Sequence, residues 1–125
     1  MVKYCTAVGV VIALLAGLSV VWAQKTTERF IPIGQSPGLS GEYTKIGSIE
    51  SVSVQEQTVM MSDPSGGYSV RLAEDTQIWL DKSKLGATNE VGTVSDLMAG
   101  RRIEVKYKDN DPNAAAEWIK VEMVE

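Results

Sequence analysis

Apolar positions in this chain come in short runs, and in most runs they alternate with polar positions. In the run YSVRL, Tyr68, Val70 and Leu72 share one side of an extended backbone, while Ser69 and Arg71 share the other. Several short runs of this kind, separated by polar turns, are typical of an all-β domain. The pattern predicts β-strands over residues 45–54, 58–62, 68–72, 76–81, 102–108 and 116–124.

One short helix interrupts the strands. Residues 93–100 predict one or two helical turns, with Thr93 as the N-cap and Gly100 as the stop. This helix falls between the third and fourth main strands if the strand at 76–81 extends the third. Five or six strands in this order predict an OB-like Greek-key barrel over residues 43–125. A plain antiparallel sandwich fits the same pattern.

The strand sequences also carry a family resemblance. The runs that carry it are GSIESV at 47–52, TQIWL at 76–80, SDLMAGRRIEV at 95–105 and AEWIKV at 116–121. With these runs the chain resembles, over residues 45–124, a family of small secreted bacterial β-barrel domains of unknown function, catalogued as DUF5666. The resemblance implies the barrel fold and brings no activity or catalytic residues with it.

The first residues predict export from the cytoplasm. Lys3 precedes an apolar run over residues 7–21, and small side chains lead to a cleavage site between Ala23 and Gln24. We therefore expect residues 1–23 to be a signal peptide and the protein to be periplasmic or secreted. The alternative is an uncleaved anchor, because residues 4–23 are about long enough to span a bilayer. Contact with the membrane is expected only during export or through such an anchor.

Composition narrows the chemistry. The single cysteine, Cys5, lies in the predicted signal, and the chain has no histidine. Thiol catalysis, disulfides, histidine-dependent triads and histidine zinc sites are therefore excluded from residues 24–125. Loss of Lys3 changes the net charge from −4 to −5, which argues against a nucleic-acid partner. We expect no enzyme activity and no cofactor.

Residues 24–42 contain prolines and glycines, as a linker does, but also Phe30, Ile31 and Ile33. Those apolar side chains would be exposed to water in a free linker. We expect this segment to dock, either across the barrel over Trp79 or Trp118, or onto a partner.

Two aromatic residues are the main binding candidates. Trp79 and Trp118 fall opposite the apolar face of their strands, where exposed rings can stack on a glycan or contact an envelope protein. Arg71, Arg101 and Arg102 could accompany them. The alternative is that loop 82–92 or the N-terminal segment covers both rings.

Two weaker patterns suggest metal binding. Asp109, Asp111 and Asn113 begin like a calcium loop, but Ala114 and Lys120 stand where that loop needs glycine and glutamate. A hairpin turn is the simpler interpretation.

The adjacent methionines Met60 and Met61 could bind Cu(I), but neighbouring strand residues point to opposite faces, and core packing is the simpler interpretation.

The sequence therefore predicts an exported, non-catalytic binding or interaction module. The alternative is a small envelope carrier of a metal ion or small ligand.

Overall fold

A computed structural model describes residues 27–125. The predicted signal peptide, its cleavage site and Gln24 lie outside the described residues. Within residues 27–125, no helix has the length and apolar character needed to cross a bilayer.

The domain is all-β, as predicted, and most strand positions match the alternation in the sequence. Three single 3₁₀ turns, Ser83–Leu85, Val94–Asp96 and Lys108–Asn110, lie between strands. The strands are β1 (Thr44–Ser53), β2 (Thr58–Asp63), β3 (Gly66–Arg71), β4 (Gln77–Asp81), β5 (Glu90–Val91), β6 (Arg102–Tyr107) and β7 (Ala116–Glu122).

The strands form one sheet that is not closed into a barrel, so the predicted closure is wrong. The sheet order is β3-β2-β1-β6-β7-β4-β5. All pairs are antiparallel except β4 with β7, which run parallel with Ile78 opposite Ile119. The plain antiparallel sandwich is also not observed, because a single mixed sheet carries all seven strands.

The edge strands β3 and β5 do not pair with each other, so the sheet stays open, and the chain leaves the ladder after β3. The Leu72 amide donates to the Gln57 carbonyl, at 2.8 Å. The Thr76 hydroxyl then accepts from the Ala73 amide and donates to the Ala116 carbonyl. Residues 72–76 thus carry the chain from one edge strand, β3, to β4 near the other edge. The two ends of the sheet are joined by the chain itself and not by strand pairing.

The predicted helix is a single 3₁₀ turn, Val94–Asp96. The Asp96 carboxylate accepts the Thr93 amide at 2.8 Å, so the predicted start of the turn is correct. Leu97 already has extended backbone and is buried, which ends the turn before a helix can form. Gly100, with φ of +91°, makes the turn into β6.

One face of the sheet carries the hydrophobic core. The sheet curls so that core residues from all the longer strands meet on this face, as their alternation requires. The buried members are Ile49, Val59, Met61, Val70, Leu72, Ile78, Leu80, Leu97, Ile103, Val105, Tyr107, Ala116, Ile119 and Val121.

Gly47 lets β1 bend against β2. The register between β1 and β2 shifts at a bulge between Ile49 and Ser51. A Cβ at position 47 would overlap the Ser62 carbonyl oxygen. Because that oxygen belongs to the backbone of a paired strand, it cannot move aside without disturbing the sheet.

We therefore expect Gly47→Ala to lower the free energy of unfolding by about 1–3 kcal/mol. Gly67→Ala is the control, because a Cβ there would meet no atom closer than 3.8 Å. Urea denaturation of both variants checks the difference. Equal stability of the two variants would show that the close approach of β1 and β2 does not constrain position 47.

Candidate functional site

The sheet face opposite the core, here called the outer face, carries charged residues that are buried. Glu104 on β6 and Lys120 on β7 are paired across the strands, and both have no exposed surface. Asp81, at the end of β4, is 3% exposed. Charged side chains are almost never fully buried without partners. Most of their partners come from residues 27–43, here called the strap.

The strap crosses the outer face as a series of turns. Gly34, with φ of +81°, and Gly41, with φ of +83°, allow two of the changes in direction. Ile33, directly before Gly34, is 4% exposed. The docking predicted for residues 24–42 is therefore present in the described part of that segment, and the surface it covers belongs to this domain.

Lys120 is the central anchor of the strap. Its Nζ donates to Glu28 Oε1 and to the Ile31 carbonyl, both at 2.8 Å, and it lies 3.5 Å from Ser36 Oγ. The Ser36 hydroxyl also donates to the Glu28 carboxylate. A buried ammonium group with three donors thus has three oxygen partners, all from the strap.

Glu104 is the second anchor. Its carboxylate accepts the Gly34 amide at 3.0 Å, the Ser40 hydroxyl at 2.6 Å and the Thr44 hydroxyl at 2.7 Å. Ser40 and Thr44 bind the same oxygen, Oε2, so Glu104 fixes both ends of the short turn that leads into β1.

Asp81 is the third anchor. One carboxylate oxygen accepts the Ile33 amide at 2.9 Å, and the other accepts the amide and hydroxyl of Ser83. Burial alone raises the pKa of Asp81. The hydrogen bonds from Ile33 and Ser83 and the positive charge of Lys120 outweigh burial, so its pKa lies below the usual value. The ionised form is therefore the one that holds the strap.

The two tryptophans lie on this outer face and are covered. Trp79 is 8% exposed and Trp118 is 4% exposed. Their rings stack with centroids 5.3 Å apart, and Lys120 Nζ lies 4.8 Å from the Trp118 centroid. The structure has the covered arrangement that the sequence left open as an alternative. Neither ring is accessible to a glycan or a partner in this conformation.

The other predicted contact residues do not form one site. Ile31 and Ile33 belong to the strap, and Phe30 is exposed beneath the Arg29 guanidinium. Each of the three remaining arginines contacts a different part of the chain. Arg71 donates to the Asn113 carbonyl, Arg101 donates to the Asp96 carbonyl, and Arg102 pairs with Glu122 at 3.6 Å.

The sequence pattern did not predict a role in the site for Lys120, Glu104, Asp81 or Glu28. The alternation placed Glu104 on the polar side of its strand, which normally faces water. The available signal was that Trp79 and Trp118 lie on the same side, because large aromatics there indicate a covered face. A covered face requires that its charged residues have partners.

The predicted metal ligands do not assemble into a site. Residues 108–110 form a 3₁₀ turn between β6 and β7, and the Asn113 amide is capped by the Asp111 carboxylate. In residues 27–125, no three His, Cys, Asp or Glu side chains come together as a metal site. Met61 is buried in the core, while Met60 points to the other face and is 42% exposed.

A groove lies at the break between β3 and β4, away from the strap anchors. Its volume is about 450 Å³, which is within the size range of small-ligand sites. It is lined mainly by apolar side chains, including Val54, Leu72, Ala73, Ile78, Val91 and Val94. Val54 and Val91 are largely exposed, so apolar surface faces water here.

The two regions differ in what they can do chemically. The outer-face anchors use their hydrogen-bonding capacity on the strap. The exposed surface of the groove is mostly apolar, and Gln57, Glu74, Thr76, Gln77 and Thr93 also line it, which suits binding of a group with an apolar part. No protein-family model, curated protein or solved structure matches this chain. The resemblance to DUF5666 domains therefore stays a prediction.

Proposed function

We propose that this protein is an exported, non-catalytic binding module, and that the groove at the β3–β4 break is its binding site. The observation that supports this proposal is the exposed apolar surface of the groove, where Val91 is 58% exposed beside buried Ile78. Exposed apolar surface that is concave and rimmed by polar residues is characteristic of binding sites. The bound group would be the apolar part of a small ligand or of an envelope partner.

Export is part of the same proposal and is supported by the signal-like pattern of residues 1–23. The absence of catalysis is supported by the environment of the buried charges. Lys120, a buried amine, is bound to Glu28 and has no exposed surface. A nucleophile needs access to its substrate, and this amine has none in the strapped conformation.

The groove can be tested with Nile red, a neutral dye that fluoresces in apolar sites. Val91→Asp puts a charge on the groove wall, so we expect the dye to bind about tenfold more weakly or worse. Val124→Asp is the matched control, because Val124 is 57% exposed and does not line the groove. Fluorescence titration gives both dissociation constants. Failure of the wild type to bind dye, or equal weakening by both substitutions, would contradict the proposal.

A further inference from the structure

We propose that the outer face is a peptide-binding site, and that it can be filled by the strap of a second copy of this chain. The face binds residues 28–40 as it would bind a separate peptide. It recognises a carboxylate through Lys120, an apolar side chain at Ile33, and two main-chain amides through Asp81 and Glu104. Main-chain contacts combined with a few side-chain pockets are a general mode of peptide recognition.

All of these contacts join residues far apart in sequence. The Glu28–Lys120, Ile33–Asp81 and Gly34–Glu104 pairs are separated by 92, 48 and 70 positions. The face does not depend on the strap being part of the same molecule. A separate chain that has this spacing of carboxylate, isoleucine and glycine and adopts the same turns would make the same bonds, and a second copy carries that sequence.

The connection to β1 is short and exposed. Residues 41–43 form a turn in which Gly41 has positive φ, Glu42 is exposed and Tyr43 is 52% exposed. If this turn extends, the strap can leave its own face and reach another. Two copies that exchange straps keep every strap–face contact and change only the turn. Exchange of an identical element in this way is a low-cost route to a symmetric dimer.

The first test measures binding of a separate strap. The receptor is the full chain with Glu28→Ala and Ile33→Asp, which weakens its own strap and leaves Lys120, Glu104 and Asp81 intact. The probe is a fluorescein-labelled peptide of residues 27–43, followed by anisotropy. We expect saturable binding by this receptor and little binding by the wild-type chain, whose face is filled. Absence of saturable binding to a folded receptor would overturn the proposal.

Two peptides of identical composition provide the control. The Glu28→Ala peptide lacks the carboxylate that Lys120 binds, so we expect its affinity to fall at least about a hundredfold. The Glu42→Ala peptide has the same net charge and alters only the exposed turn, so it should bind like the original. Equal binding of the two would show non-specific adsorption and overturn the assignment.

The second test uses the wild-type chain, so it holds even if the weakened receptor does not fold. The protein is unfolded in urea, which releases the strap, and is then refolded by dilution at neutral pH to a low or a high final protein concentration. Because a tethered segment has an effective concentration in the millimolar range, exchange needs protein at about 1 mM. Light scattering after size exclusion should then show a dimer only at high concentration, and Ile33→Asp should abolish it. Monomer at both concentrations would overturn exchange with a second copy.

Discussion

Replacing Lys120 with alanine is expected to lower the free energy of unfolding by about 3–5 kcal/mol. Lys120 has no exposed surface, and its ammonium group is 2.8 Å from the Glu28 carboxylate. Removing it leaves the Glu28 carboxylate of the strap without its cation and removes the bond to the Ile31 carbonyl. Removing one partner of a buried ion pair costs far more stability than the intact pair contributes to the folded protein. Urea denaturation monitored by circular dichroism gives the difference.

The control is Lys82→Ala, which removes a pair of the same length at the surface. Lys82 lies 2.9 Å from Glu90, whose side chain is 62% exposed. Exposed pairs of this kind are worth about 0–1 kcal/mol. The variant Lys120→Met/Glu28→Gln, which removes both charges and keeps most of the volume, should recover much of the loss. A loss of under about 1 kcal/mol for Lys120→Ala would show that the pair does not hold the strap.

The strands were predictable because local alternation and the core agree. In β6, Ile103, Val105 and Tyr107 are apolar in sequence and buried in the structure, with polar residues between them. Period-two alternation directly encodes which side of a strand meets the core. The turn at Thr93 and Asp96 was predictable for a similar reason, since its stabilising contacts lie within four residues. Its length was not, because burial of Leu97 is a tertiary effect.

The open sheet could not be predicted from the same signals. Alternation does not say which strands are neighbours, and it does not distinguish the parallel β4–β7 pair from an antiparallel one. The break at 72–76 depends on Thr76 binding the Ala116 carbonyl, forty residues away. Such a contact leaves no periodic trace in the sequence.

The buried charges of the outer face also could not be predicted from strand alternation. Strand alternation places Glu104 and Lys120 on the side opposite the core, which would normally face water. Both are nevertheless fully buried. The docking of the strap was predictable from Ile31 and Ile33, because apolar residues in a Pro/Gly segment need cover, whereas the expectation that Phe30 is covered is wrong, since its side chain is 44% exposed. The anchors of the strap were not predictable, because they are charged residues that become buried only when the strap is in place.

Replacing Asp81 with alanine should cost about 3 kcal/mol at neutral pH, since hydrogen bonds to a charged group contribute about 1.5–3 kcal/mol each and are not fully additive. The variant leaves the Ile33 amide without its acceptor and releases Ser83. The loss should be accompanied by faster hydrogen exchange of the Ile33 amide, measured by NMR. Glu56→Ala, at an exposed turn position, is the control and should change neither quantity.

Asp81 also makes the free energy of unfolding depend on pH, and the Asp81→Ala variant tests this dependence. The pKa of Asp81 is lower in the folded protein than its ordinary value of 3.8. The folded state therefore favours the ionised carboxylate, and the contribution of Asp81 is complete at neutral pH. It is lost as pH falls below about 4 and through the folded pKa, because the unfolded chain takes up the proton first. Urea denaturation from neutral pH to about pH 3 should show the gap between wild type and Asp81→Ala shrinking. A gap that stays constant or widens in acid would mean that the ionised carboxylate does not hold the strap.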